Sequence, residues 1–210
     1  MTTVTSWLAL VAAWFFQNLL WNAIWVLFLG VLAIAALVAA GLTFAWAVRS
    51  AIRGRHLQGL LILGVAGLIA AVIAIAPWGD VYGRVWFALH RDDFVRVEAL
   101  VRHGDLDPTL DYYGSELPGG LAGISITGQV SATSTWAGDE ESTPCDEPIE
   151  FIPAALGIPD GGVGFVHLPC DVPPRGFMVN GYDDGMVPRI PLGDGWWWAD
   201  GVVPDGYLDE

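Results

Sequence analysis

The sequence predicts a membrane protein: a two-span α-helical hairpin followed by a small α+β extracytoplasmic domain with one disulfide. Three observations predict it. Residues 1–78 hold only three charges, Arg49, Arg53 and Arg55, whereas all 23 acidic residues stand at Asp80 or later. Two long apolar runs without charge, residues 24–47 and 59–76, flank those arginines. The only two cysteines, Cys145 and Cys170, both fall in the acidic part.

The charge split decides several questions of function. The first 78 residues carry +3, and six arginines against 23 acids leave −17 for the rest, which gives the net −14 of the chain. Strong acidity in residues 79–210 argues against nucleic acid or anionic lipid as the partner of that part, since both need a basic face. Nine arginines account for all Lys+Arg, so the chain has no lysine. That excludes a Walker-type phosphate loop, the strand lysine of a protein kinase, Schiff-base enzymes and the Ser-x-x-Lys hydrolases. Lysine codons are poor in G and C, so this composition points to a GC-rich bacterial genome. In overall composition the chain resembles membrane proteins of high-GC Gram-positive bacteria, with no diagnostic motif behind the likeness.

The first span, residues 24–47, would reach ~36 Å as a helix against a hydrocarbon core of roughly 30 Å. Trp21 and Trp25 stand at one end and Trp46 at the other, where interfacial aromatic belts belong. The second span runs over about 57–77 and ends at Pro77-Trp78. The connector 48–56 holds every positive charge of the first half, and the positive-inside rule places it in the cytoplasm. Both termini then face outward. Pairs of small residues four apart (Ala36 with Ala40, Gly67 with Ala71, Ala70 with Ala74) suit packing of the spans on each other or a dimer.

Two arrangements fit residues 1–20. Trp7, Trp14, Trp21 and Trp25 share one helical face, which suits a segment lying in the interface. The other is one long tilted helix from Val4 onward. A signal peptide at the start lacks its basic region. Residues 49–76 mimic one, but Pro77 would hinder cleavage, so retention as a span is expected.

Residues 79–104 read as a juxtamembrane helix. Phe87, His90, Phe94, Val97 and Val101 fall on one side, and Gly104 supplies the stop. Asp92 with Arg96 and Glu98 with Arg102 read as solvent-side pairs worth a few tenths of a kcal/mol each. From 105 to 210 the texture is acidic and rich in Gly and Pro, with strands expected at 123–132, 148–152, 162–168, 176–179 and 195–199. Turns are expected at 118–120, 158–162 and 180–185, and an acidic loop at 137–146. In an outward-facing domain an even cysteine count reads as a disulfide, Cys145 to Cys170. Closing that loop would stabilise by about 3.5 kcal/mol in the chain-entropy model.

No complete catalytic set emerges. His90-Arg91-Asp92 copies the kinase tripeptide, but Val97 stands where that pattern needs Asn. Ser125 sits in a strand-like run with Thr127 where a nucleophile elbow needs Gly. The acidic groups at Asp105, Asp107 and Asp111, at 139–141, and at Asp183 and Asp184 do not follow a calcium-loop pattern. No metal and no cofactor is expected. Trp196, Trp197 and Trp198, with Tyr112 and Tyr113, are the binding candidates: an exposed indole platform would stack on a sugar or grip a protein, against the plainer reading of a core strand.

Function follows from this frame as an expectation. The chain reads as a membrane-anchored extracytoplasmic binding or structural module of a bacterial cell envelope, with the lipid bilayer and a membrane or envelope protein as partners. The alternative is an envelope hydrolase that cleaves a carbohydrate polymer through paired carboxylates, for which Asp183, Asp184 and Asp194 are the candidates.

Overall fold

The computed structural model describes residues 2–17, 20, 27–109, 114–133, 135–137, 140–142, 149–156, 162–169, 178–181 and 184–201. The chain divides into two compact units, Met1–Val81 and Tyr82–Glu210.

The first unit is helical: α1 (Thr2–Phe15), α2 (Leu27–Ile52) and α3 (His56–Ile75). Two helical segments, Gly30–Ile52 and His56–Ile75, are long and apolar enough to cross a membrane. The turn between α2 and α3 is closed by Gly54 at φ 74°, a left-handed position that suits glycine. Gly54 N–H donates to Ala51 O at 3.0 Å and Arg55 N–H to Ser50 O at 2.9 Å. This is the Schellman pattern, and it satisfies the last carbonyls of α2 before α3 begins.

The contact between α2 and α3 uses small residues, but not the predicted ones. Ala39, Ala47, Gly59 and Ala66 are buried, whereas Ala36, Ala40, Gly67, Ala70, Ala71 and Ala74 are exposed. A Cβ on Gly59 would lie 3.2 Å from the Ala47 carbonyl oxygen, so the two backbones meet closely there. On α3 the seam runs Gly59, Ile62, Ala66, Ile69, Ile73, an alternation of three and four that matches left-handed helix pairing. In a span rich in alanine only the partner decides which small residues face inward.

α1 covers Thr2–Phe15. It packs on α2 and α3: Leu10, Leu32 and Ala39 are buried together, with Trp7, Trp14, Leu20, Ala35 and Ile73 against them. Trp7 Nε1–H donates to Thr43 Oγ1 at 3.0 Å, and the same hydroxyl donates to Ala39 O at 2.7 Å. Trp7 thus stands opposite the second half of α2 while the far end of α1 leads to its start, which makes the two helices antiparallel. Thr43→Val should cost about 1 kcal/mol in a melt by leaving an indole N–H without its acceptor; an unchanged melt would show that the bond carries no weight.

The second unit packs one helix on a curled antiparallel sheet. Helix α4 (Trp78–His103), which enters this unit at Tyr82, ends with Gly104 at φ 75°, the predicted stop. It is interrupted at His90 (φ −119°, ψ 19°), whose Nδ1 sits 3.0 Å from Trp86 O. A side chain bonded to the carbonyl four residues back is a recognised cause of helix bending. Phe87, Phe94 and Val97 are buried as predicted, whereas His90 is only half-buried.

Nine strands are present among the described residues: β1 (Ser115–Glu116), β2 (Gln129–Thr133), β3 (Thr135–Ala137), β4 (Glu140–Ser142), β5 (Ile149–Leu156), β6 (Gly162–His167), β7 (Met178–Gly181), β8 (Asp184–Gly193) and β9 (Trp196–Asp200). Their order is β1-β2-β5-β6-β9-β8-β7-β3-β4, and every pairing is antiparallel. β2 and β7 approach although they are not bonded neighbours, so the central six strands curl. The curl gives the sheet two buried faces. On one, Ile149, Phe151, Val166, Leu168, Met186 and Ala199 form a cluster with Trp197 against it. On the other, Phe94 of α4 meets Phe165 at 4.7 Å and Trp196 at 5.0 Å between ring centroids, and Tyr82 meets Trp198 at 5.8 Å. Burial pushes the Tyr82 phenol pKa up.

Three sequence expectations change here. Residues 180–185, read as a turn, hold the β7–β8 connection, but the strand after it, β8, the longest among the described residues, is not among those expected. Its Pro188 and Pro191 argue against a strand, yet they stand at register shifts against β9 and beyond the segment that pairs with β7. Bulges and unpaired edges are where a strand tolerates proline. Residues 137–146, read as a loop, contain β4. The strand expected at 123–132 begins instead with a 3-10 turn, Ala122–Ile124, and Ser125 Oγ accepts N–H bonds from Thr127 and Gln129 at 3.3 Å. Ser125 therefore shapes a turn.

Candidate functional site

The most unusual chemistry in the second unit is a polar row within its core. Register places Glu150 of β5 beside His167 of β6, and His167 beside Trp196 of β9. Strand alternation turns all three toward α4, which brings Glu98 and Arg102. His167 Nδ1 lies 3.6 Å from Glu150 Oε1, and His167 Nε2 lies 3.9 Å from Glu98 Oε1. The side chains of Glu150, His167 and Glu98 are only 4%, 7% and 13% exposed. Glu98 Oε1 also accepts a charge-assisted bond from Arg102 Nη2. The indole of Trp196 lies against the imidazole, 5.1 Å between centroids.

Electrostatics constrains this row. A carboxylate buried like Glu150 needs a positive neighbour or a proton, because an uncompensated buried charge costs several kcal/mol. His167 is the group in reach. The pairing is imperfect: both imidazole contacts exceed hydrogen-bond length, and Glu150 Oε2 and His167 Nδ1 have no hydrogen-bond partner among the described residues. The Nε1–H groups of Trp86, Trp196 and Trp198 are likewise buried without a partner among the described residues.

The row is closed to substrate. An imidazole fills the space between the two carboxylates, where a glycosidase would need a sugar ring and a water. A Cβ on Gly195 would lie 2.7 Å from His167 Nε2, so the β8–β9 turn covers the ring edge. The arrangement suits holding charge and fixing register. Sequence reasoning passed over all three groups. Glu98 is read there only with its helical partner Arg102. The available signal was a lone Glu and a lone His inside strands otherwise apolar.

The predicted site residues fall as follows. Trp196 and Trp198 are fully buried beneath α4, so neither offers a stacking platform; this corrects the binding reading. Trp197 points to the opposite face and packs on the apolar cluster there. The alternation is as expected, and both faces are core because the sheet curls. Tyr112, Tyr113, Asp183, Cys145 and Cys170 lie outside the described residues, and the structure shows no disulfide among the residues it describes. Asp184 starts β8 opposite Gly181. Among the described residues no group of three or more His, Cys, Asp or Glu is arranged to hold a metal ion.

Asp194 is engaged elsewhere. It occupies the β8–β9 turn at φ 52°, a region Asp tolerates better than most residues. Its carboxylate takes two bonds from the Arg91 guanidinium on α4, at 2.7 and 2.9 Å. The Arg91 hydrogen bond holds its pKa below the usual carboxylate range and raises that of Arg91. This removes support from the carbohydrate-hydrolase reading. A lowered folded pKa stabilises above the unfolded value of about 3.9, and the gain is lost as pH falls through the folded value. Asp194→Asn should therefore lower the melting temperature slightly at about pH 7, and the deficit should shrink as the pH falls below about 3.9. A deficit that persists in acid would show the loss is conformational.

In the first unit, Arg49, Arg53 and Arg55 line a cleft of about 240 Å³ with Trp46, Ser50 and Gln58. Trp46, Arg49 and Ser50 share one face of α2, Arg53 follows directly after it, and Arg55 caps α3 without a side-chain hydrogen bond. Ser50 is buried and the arginines are exposed. Compared with family models, curated proteins and solved structures, the chain has no match.

Proposed function

We propose that the protein is a membrane-anchored module of a bacterial cell envelope. Its first unit anchors it in the bilayer, and its β-sheet unit stands on the extracytoplasmic side in a binding or structural role within a membrane assembly. One observation carries the anchor: only 24% and 11% of the apolar windows of α2 and α3 are buried. A core helix of a soluble protein would cover its apolar side chains. Here Val31, Ile34, Leu37, Leu42 and Phe44 on α2, and Leu60, Leu61, Val65 and Leu68 on α3, are exposed. An apolar surface of that extent needs lipid or protein to cover it.

Orientation rests on the arginines, which belong in the cytoplasm, so that Tyr82–Glu210 lies outside and Cys145 and Cys170 form a bridge there. The antiparallel packing of α1 supports an N-terminus on the same side as the arginine turn, not the outward side expected of a flat interfacial segment. The non-enzymatic reading is supported by the engagement of Asp194 with Arg91 and by the closure of the Glu150–His167 row. Membranes washed in alkaline carbonate should retain the full chain in the pellet. Release into the wash would overturn the anchor.

A further inference from the structure

We propose that the arginine cleft at the α2–α3 turn binds the phosphate headgroup of an anionic phospholipid. Three arginines line it together with a buried residue, Ser50, and an amide side chain, Gln58. Orientation in the membrane requires only the positive charges. It does not require that they surround one cleft or that polar donors join them. The first turn of α3 adds backbone N–H groups that no side chain caps, and its dipole favours an anion.

No carboxylate competes for these arginines at this end of the unit. The first acidic residue in the chain is Asp80, beyond the far end of the 20-residue α3, about 30 Å away along its axis. Guanidinium forks match phosphate oxygens bidentately. The surroundings favour a lipid source for that phosphate. Ile52 and Leu57 flank the turn and Leu60 and Leu61 follow, all exposed, so acyl chains would lie against apolar surface while the headgroup enters the cleft. The strongly acidic second unit repels anionic lipid, which confines the attraction to this cleft. Basic pockets between helices at the cytoplasmic face are general sites for such headgroups.

The inference rests on the membrane anchor, and the two fail separately: carbonate release tests the anchor, and lipid selection tests the cleft. The experiment is native mass spectrometry of the full chain in detergent with an equimolar mixture of phosphatidylglycerol and phosphatidylcholine. Wild type should retain phosphatidylglycerol preferentially. Arg53→Gln should weaken that preference about fivefold, and the combined Arg49→Gln, Arg53→Gln, Arg55→Gln variant about a hundredfold. The single variant keeps the test valid should the triple fail to fold. No preference in wild type, or a preference that survives the glutamines, would overturn the proposal. Full retention with all three arginines replaced by lysine would reduce it to diffuse charge attraction and overturn the cleft. Inorganic phosphate that displaces the lipid at equal concentration would overturn the lipid assignment.

Discussion

Trp198→Ala should destabilise the β-sheet unit by about 3–5 kcal/mol, the cost of emptying a large aromatic site in a core. The indole is fully buried, meets Tyr82 and Phe165, and lies so close to α4 that a Cβ on Gly83 would come within 2.7–2.9 Å of its ring. Substitution therefore unseats the helix from the sheet. Gly83→Ala presses on the same ring from the opposite side and should also destabilise, by about 1–3 kcal/mol, less about 1 kcal/mol of helix propensity gained. Chemical denaturation of the purified chain, followed by tryptophan fluorescence, reads both. A Trp198→Ala protein of wild-type stability would restore the idea of an exposed aromatic platform.

His167→Leu should cost about 1–3 kcal/mol, because it leaves the buried Glu150 carboxylate beside an apolar side chain with the imidazole gone. The informative comparison is the double variant. Replacing Glu150 by Gln in the His167→Leu background removes the stranded charge and should recover part of the loss, so that the double variant is more stable than the single. Additive losses would show that the two side chains do not share a charge. Glu98→Gln should cost less, since Glu98 is the more exposed carboxylate and Arg102 reaches solvent.

Much of this fold is legible in the residues because the relevant forces are local. Long uncharged apolar runs mark the two helices that are long and apolar enough to cross a membrane. The alternation of three and four in Phe87, Phe94 and Val97 marks the face of α4 that meets the sheet. The alternation of two in Trp196, Trp197 and Trp198 sends those indoles to opposite faces. What escapes is set by partners. Pro188 and Pro191 disqualify β8 on propensity, and only the register shifts against β9 show how the strand accepts them. The inward small residues of α2 and α3 are fixed by the other helix. Glu98, Glu150 and His167 meet only through strand register and helix docking, so a reading of Glu98 with Arg102 as a simple helical pair is correct and incomplete.

The anchor and the outward-facing domain stand or fall with one labelling experiment. Intact cells producing the full chain are treated with a membrane-impermeant maleimide, with and without prior reduction. The account predicts no labelling of Cys145 and Cys170 before reduction and labelling of both afterwards, without lysis. Labelling that appears only once the cells are opened would place Tyr82–Glu210 in the cytoplasm and contradict the account. Labelling without reductant would keep the topology and remove the bridge.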